Sequence, residues 1–352
     1  MRFKAAVMLC LMLSLLFLSC GREEQKQEYP IKPVAFTDVQ ITDDFWTPRL
    51  EINRTVTIPF AFKKSEETGR IDNFSKAGGL IPGQFEGRRY NDSDVFKIME
   101  GAAYSLALRP DPVLEDYLDA LIEKIAAAQE DDGYLYTART IDPIKLPPGT
   151  GDERWSNLGS SHELYNVGHM YEAAVAHYLA TGKRTFLDVA IKNADFIDSV
   201  FGPDKRRGYP GHQEIEIGLV KLFRQTQERK YLELAKFFLE ERGQTKHEKK
   251  FSETSQFSIY DQDWYLQAHK PVIEQEEAIG HAVRATYMYS GMADVASLTG
   301  DEEYIEAIDR IWENVISKFI SLEALDPAMK ERLSGRITSC RMPQLTTRLV
   351  QR

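Results

Sequence analysis

One short pattern occurs three times in this chain and limits what it can fold into. Thr181-Gly182-Lys183-Arg184-Thr185-Phe186-Leu187-Asp188 is followed by Thr226-Gln227-Glu228-Arg229-Lys230-Tyr231-Leu232-Glu233 and by Thr299-Gly300-Asp301-Glu302-Glu303-Tyr304-Ile305-Glu306. Each copy separates two helical stretches, and each restarts with an aromatic, an aliphatic and an acid. This is an αα-hairpin repeated along the chain. Residues 161–180 show the period well, with Leu164, Val167, Tyr171, Ala174, Val175, Tyr178 and Leu179 on one helical face. Ser160 with Glu163 three residues on reads as a capping box. Further helices are expected over 94–108, 112–129, 185–200, 213–225, 230–241, 275–298 and 302–317, one more near 50–64, and an extended piece over 34–39. Repeated hairpins either stack into an open solenoid or close into a ring. The long, uneven, polar connections at 131–159 and 242–274 favour the ring, where connections build the site. The expected fold class is all-α, an incomplete (α/α)6-type barrel of αα-hairpins over residues 33–318.

Composition narrows the function classes. The net charge is −10 and no Lys/Arg stripe stands out, which argues against a nucleic-acid partner. The cysteines are Cys10, Cys20 and Cys340, too few and too scattered for a disulfide framework or a Cys/His metal cluster. Arg2 and Lys4 precede a mostly apolar run, 5–18, too short to span a membrane comfortably. The run ends at Leu18-Ser19-Cys20-Gly21, which resembles a bacterial lipoprotein signal with Cys20 as the lipidated residue. A polar tether over 21–32 and a lipid-anchored product of the cell envelope are expected.

Three of the seven histidines share a place in the repeat. His162, His212 and His281 each fall in or just before the first turns of the leading helix of a hairpin. Leading helices of successive antiparallel hairpins run parallel, so all three should line one mouth of the ring. A helix N-terminus disfavours protonation, so neutral imidazoles are expected there, able to donate and accept hydrogen bonds. They suit sugar hydroxyls; three histidines with an open position could also hold zinc. Asp94, in Asn91-Asp92-Ser93-Asp94, opens another leading helix and is a pocket candidate, while Asp92 or Asp94 should cap that helix. Glu214 and Glu216 are weaker candidates for the carboxylate pair of glycoside hydrolysis, and Glu163 is explained by its cap. Tyr134, Tyr136, Trp155 and Tyr209 lie in connections where a sugar ring could stack. His169, His177, His247 and His269 read as structural.

These blocks resemble glycoside hydrolase family 127, the β-L-arabinofuranosidases. The matching segments include Asn91-Asp92-Ser93-Asp94-Val95-Phe96-Lys97, Gln129-Glu130-Asp131-Asp132-Gly133-Tyr134-Leu135, Ser161-His162-Glu163-Leu164-Tyr165 with Gly168-His169, Gly211-His212-Gln213-Glu214-Ile215-Glu216 and Gly280-His281-Ala282-Val283-Arg284. The resemblance implies an α/α barrel followed by β-sandwich domains, and arabinofuranose held by the three matching histidines. It also implies a zinc-bound cysteine thiolate as nucleophile and a glutamate as general acid/base. Those groups belong to blocks beyond the matched region, so no zinc is expected to be bound by this chain.

The resemblance stops at Lys318. Residues 319–352 follow no family pattern, and Pro327 and Pro343 interrupt them. Reading the last base of each codon with the first two of the next, permitted codons from Phe319 spell Y-I-T-G-G-I-G-S-S-H-E-G-E-A-F-G and continue to an E-T-C-A block. That is the order of the family's acid/base and zinc-ligand region. The tail is therefore expected to be out of frame, and Cys340 not to be the nucleophile. The expected ancestry is a retaining exo-glycosidase for β-L-arabinofuranosides of plant glycans, here without its catalytic groups. Two alternatives remain open: another α/α-barrel carbohydrate hydrolase or lyase using carboxylates such as Asp94, or a non-catalytic glycan-binding surface lipoprotein.

Overall fold

The computed structural model describes residues 33–244 and 262–319. Helix α1 (Trp46–Ile52) runs through a π-helical stretch, Asn53–Thr57, into α2 (Ile58–Glu67). Then come α3 (Arg70–Ala77), α4 (Asp92–Leu108), α5 (Pro112–Ala128), the one-turn α6 (Thr137–Thr140), α7 (Glu163–Thr181) and α8 (Thr185–Val200). The rest are α9 (Ile215–Thr226), α10 (Arg229–Glu241), the short α11 (Gln262–Tyr265), α12 (Ala282–Thr299) and α13 (Glu302–Asn314). Among the described residues there is no strand; Phe201 and Arg206 form an isolated bridge, and Arg242 is a further bridge residue. The fold is all-α.

The repeated turn has a shared physical cause. In each copy the threonine hydroxyl donates to the carbonyl four residues back: Thr181 to His177 (2.7 Å), Thr226 to Leu222 (2.8 Å), Thr299 to Val295 (2.8 Å). The following residue takes a left-handed backbone, Gly182 at φ 74°, Gln227 at 63° and Gly300 at 68°, which stops the helix. The aromatic that follows, Phe186, Tyr231 or Tyr304, is buried and pins the return helix to the core.

The hairpins form two layers. Leading helices α2, α4, α7, α9 and α12 pack side by side, and return helices α3, α5, α8 and α10 neighbour one another outside them. Helix α7 is buried over most of its length, polar residues included, as the inner wall of such a ring must be. Outer helix α10 buries one face, through Tyr231, Leu234, Ala235, Phe238 and Leu239.

Several local expectations give way to tertiary contacts. Residues 34–39 hold a 3-10 turn, Phe36–Asp38, not an extended piece. The expected helix over 275–298 begins only at Ala282, because Gln275 and the His281 main chain are tied to Gln267 and Tyr265 instead. The capping box does not form. Ser160 Oγ accepts from Arg89, and the Glu163 carboxylate accepts from Tyr134 Oη (2.7 Å) and the Trp155 amide. Asp92 and Asp94 do not cap α4 either; Asp92 accepts from the Thr137 amide and hydroxyl and anchors α6.

Candidate functional site

The N-terminal ends of α7, α9 and α12 converge, and each brings a histidine. His162 is the N-cap of α7, His212 lies three residues before α9, and His281 is the N-cap of α12. The ring centroids of His162 and His212 are 5.7 Å apart, and those of His212 and His281 5.9 Å. All three are half-buried. His162 holds a left-handed backbone, φ 64°, a conformation that non-glycine residues adopt at a cost and that recurs at functional sites.

Hydrogen bonds at one ring nitrogen fix what the other offers. Nδ1 of His162 donates to the Ser160 carbonyl (2.7 Å) and Nδ1 of His212 to the Gln213 carbonyl (2.8 Å). Their Nε2 atoms are then acceptors. Nδ1 of His281 accepts from the Arg284 amide (3.4 Å), which leaves its Nε2 a donor. Burial, aided by the Arg89 guanidinium, lowers the His162 pKa to about 3. Burial and then Arg284 lower His212 and His281 as well. The trio is neutral at pH 7, two acceptors and one donor.

Tyrosines missed in the sequence complete the surround. Tyr165 lies 4.2 Å from His212 ring to ring, Tyr90 is 5.2 Å from His162, Tyr265 5.5 Å from His281 and Tyr287 5.9 Å from His212. Lys97 donates to the Tyr165 hydroxyl (2.6 Å), and burial lowers its pKa while burial raises that of Tyr165 to about 12. Tyr165 and Lys97 sit inside motifs already singled out, and the one-turn spacing from His162 and Asp94 was the available signal. Asp94 is paired with Arg70 (2.9 Å) and accepts from Asn91, above Lys97 at the start of α4.

The aromatics read from the connections are not available to a sugar. Tyr134, Tyr136 and Tyr209 are fully buried, and Trp155 nearly so. They are core because the long connections fold back over the helix ends. Glu163 and Glu216 are buried in structural roles too. Glu216 accepts from the Glu214 amide (3.0 Å) and faces the buried Arg242, which donates to the Pro210 and Leu266 carbonyls.

Beneath the histidines, α7 and α9 cross at Gly168 and Gly218. A Cβ on Gly168 would lie 2.7 Å from the Ile215 amide nitrogen, so only glycine allows this approach. The crossing brings His169, Glu172 and Glu214 together. Nδ1 of His169 is 3.2 Å from Glu214 Oε1 and 3.6 Å from Glu172 Oε2. Glu172 also meets Lys221, which reaches Glu100 (3.2 Å). Burial, followed by the Glu172 carboxylate, raises the Glu214 pKa well above the usual range. Burial opposes charge on Glu172, yet Glu214, His169 and Lys221 together hold it well below. Burial lowers His169 to about 4. His169, read as structural from the sequence, sits in this buried polar cluster. The zinc–thiolate set implied by the resemblance has no counterpart here, since no cysteine lies among the described residues, and the three pocket histidines do not bring their donor atoms within 4.8 Å of one another. A separate cleft of about 350 Å³ lies at the far end of α4, between residues 40–54 and 101–109, away from this chemistry. Cys20, the tether at 21–32, His247, Cys340 and all but the first residue of the 319–352 tail lie outside the described residues.

Parallel helix ends that present neutral hydrogen-bonding rings and tyrosines form a polar mouth at one end of an α/α-barrel-type fold. The family profile described as the GH127 catalytic domain of β-L-arabinofuranosidases matches residues 38–321, and the chain belongs to that family. It is 39% identical over 259 residues to a non-reducing end β-L-arabinofuranosidase of Bifidobacterium longum subsp. longum, covering 70% of this chain and 39% of that protein. A solved GH127 β-arabinofuranosidase superposes with a TM-score of 0.75 at 53% identity, over 82% of this chain and 44% of the other. A GH127 β-L-arabinofuranosidase from Geobacillus stearothermophilus T6 gives 0.73 at 42% identity, over 79% and 45%. The chain therefore spans less than half the length of these relatives.

Proposed function

We propose that this chain carries the sugar-recognising part of a β-L-arabinofuranosidase active site, and that its ligand is a terminal β-L-arabinofuranosyl unit of a plant glycan. The observation behind this reading is the convergence of His162, His212 and His281 on one mouth, in a chain of the arabinofuranosidase family. The acceptor Nε2 atoms of His162 and His212 would take sugar hydroxyl protons, and the His281 Nε2–H would donate to a hydroxyl oxygen. Neutral rings do this without the desolvation cost of a buried charge. Tyr165, fixed by Lys97, would form the floor, and Asp94 the rim.

In this reading the reaction is retaining exo-hydrolysis, and the groups that perform it are not among the residues described. We propose that the 319–352 tail is the family's acid/base and zinc-ligand region read out of frame, and that the 352-residue chain binds arabinofuranosides without turning them over. We propose also that Cys20 is lipidated and anchors the product in the cell envelope.

Titration calorimetry of the purified chain with a β-L-arabinofuranoside tests the pocket. Saturable binding that is lost in His212→Ala, with the fold intact by circular dichroism, is expected; binding unchanged in His162→Ala, His212→Ala and His281→Ala together would refute it. Hydrolysis should be absent with zinc present and should appear when the frame after Lys318 is restored together with the downstream sequence. Turnover by the unrepaired chain would overturn the assignment of catalysis to the shifted region and favour a carboxylate mechanism within the chain. Membrane association should be lost in Cys20→Ser; identical fractionation of both forms would remove the anchor.

A further inference from the structure

We propose that His169, Glu172 and Glu214 form a binding site for a divalent transition-metal ion of the zinc type, set beneath the histidine pocket and separate from it. The inference does not rest on the sugar reading, and it departs from the expectation that this chain binds no zinc.

The geometry carries it. One donor atom from each of the three side chains lies within 4.8 Å of the others. Zinc bonds of ~2.0–2.1 Å at tetrahedral angles place neighbouring ligand atoms about 3.3 Å apart. The observed separations from His169 Nδ1, 3.2 Å to Glu214 and 3.6 Å to Glu172, bracket that edge. His169 and Glu172 are three residues apart on α7 and project the same way, and an imidazole and a carboxylate at that spacing recur as ligands inside helical bundles. Glu214 arrives from the neighbouring wall, held by the glycine crossing at Gly168.

Two of the three donors are short of partners. His169 is 4% exposed and Glu214 fully buried, and neither the two ring nitrogens nor the two carboxylate oxygens have a hydrogen-bond partner of good geometry. Buried polar atoms left in that condition cost about 1–3 kcal/mol each. A metal ion would satisfy one atom from each side chain. Glu100 and Glu172 pair with Lys221, and Lys97 lies across Tyr165. Lys221 engages Oε1 of Glu172, which leaves Oε2 for the ion. The remaining tetrahedral position is open to water. The rings of Tyr165 and Tyr287 lie over His169, so an ion would enter slowly.

The test loads the full 352-residue chain, stripped with chelator, by prolonged dialysis against Zn2+ or Co2+, followed by desalting. Elemental analysis should then find a single equivalent in the wild type and in His212→Ala, and its loss in His169→Ala and in the near-isosteric Glu214→Gln. The cobalt form of the wild type should show visible absorption of a four-coordinate nitrogen–oxygen site. That spectrum needs no variant to fold, and its absence would overturn the proposal. So would equal metal content in the wild type and both ligand variants, which would put the ion elsewhere on the chain.

Discussion

Adding a single methyl group at Gly168 tests whether the inner wall is as tightly set as the site requires. The new Cβ would fall 2.7 Å from the Ile215 nitrogen and 2.8 Å from the Glu214 carbonyl carbon. Both are main-chain atoms, so no rotamer change relieves the clash. Restoring ordinary contact at ~3.5 Å requires α9 to move by more than about half an ångström. Overpacking of this kind costs about 1–3 kcal/mol. Alanine recovers about 1 kcal/mol over glycine in a helix interior, so the expected net loss in Gly168→Ala is up to about 2 kcal/mol, the low end of the range being close to no net change. Gly101, inside α4, is the internal control. Nothing lies within 4 Å of its added Cβ, so Gly101→Ala should gain up to about 1 kcal/mol from propensity alone. Urea midpoints followed by circular dichroism read both, and thermal midpoints should move by about 2 °C per kcal/mol. Gly168→Ala should also weaken arabinofuranoside binding, because α9 carries the His212 loop at its N-terminus. If Gly168→Ala raises the urea midpoint as much as Gly101→Ala does, the crossing is not tight and the argument fails.

Other consequences follow from buried charge. Arg242 is fully buried against Glu216 and two carbonyls, so Arg242→Ala should cost about 3–5 kcal/mol by leaving a buried carboxylate unpaired; a urea midpoint within error of wild type would contradict this. His177 is buried and its folded pKa is lowered, chiefly by burial, so the unfolded chain takes up protons first as pH falls through about 6.5, and stability drops. His177→Gln should therefore lose less stability between pH 7 and pH 5 than the wild type, and parallel pH profiles would refute it. Since His162 is held neutral down to about pH 3, its contribution to arabinofuranoside affinity, measured against His162→Ala, should stay nearly level from pH 7 to pH 5; a step near 6.5 in that contribution would mean the ring is charged on binding.

Much of the architecture could be read from the chain alone because it is built from local signals. Helix α8 runs from Thr185 to Val200 as expected, bounded by Gly182 on one side and Gly202-Pro203 on the other. The three threonine turns needed only a hydroxyl, a carbonyl four residues back and a left-handed residue, all within five positions. Repetition of that unit then implied layered parallel helices and a common mouth for His162, His212 and His281. Wherever a side chain had a distant partner, local reading failed. Glu163 was placed in a cap it does not make, since Tyr134 and the Trp155 amide hold it. Tyr134, Tyr136, Trp155 and Tyr209 looked like loop aromatics, but the connections fold over the helix ends and bury them. The start of α12 shifted to Ala282 because Gln267, across an intervening turn, satisfies backbone groups that a longer helix would have paired internally. His169 could not be told from a core histidine, because α7 is buried on nearly every side and periodicity marks no functional face on such a helix. Only the approach of α9 across Gly168 put Glu214 beside it, a contact between residues 45 positions apart that no local pattern encodes.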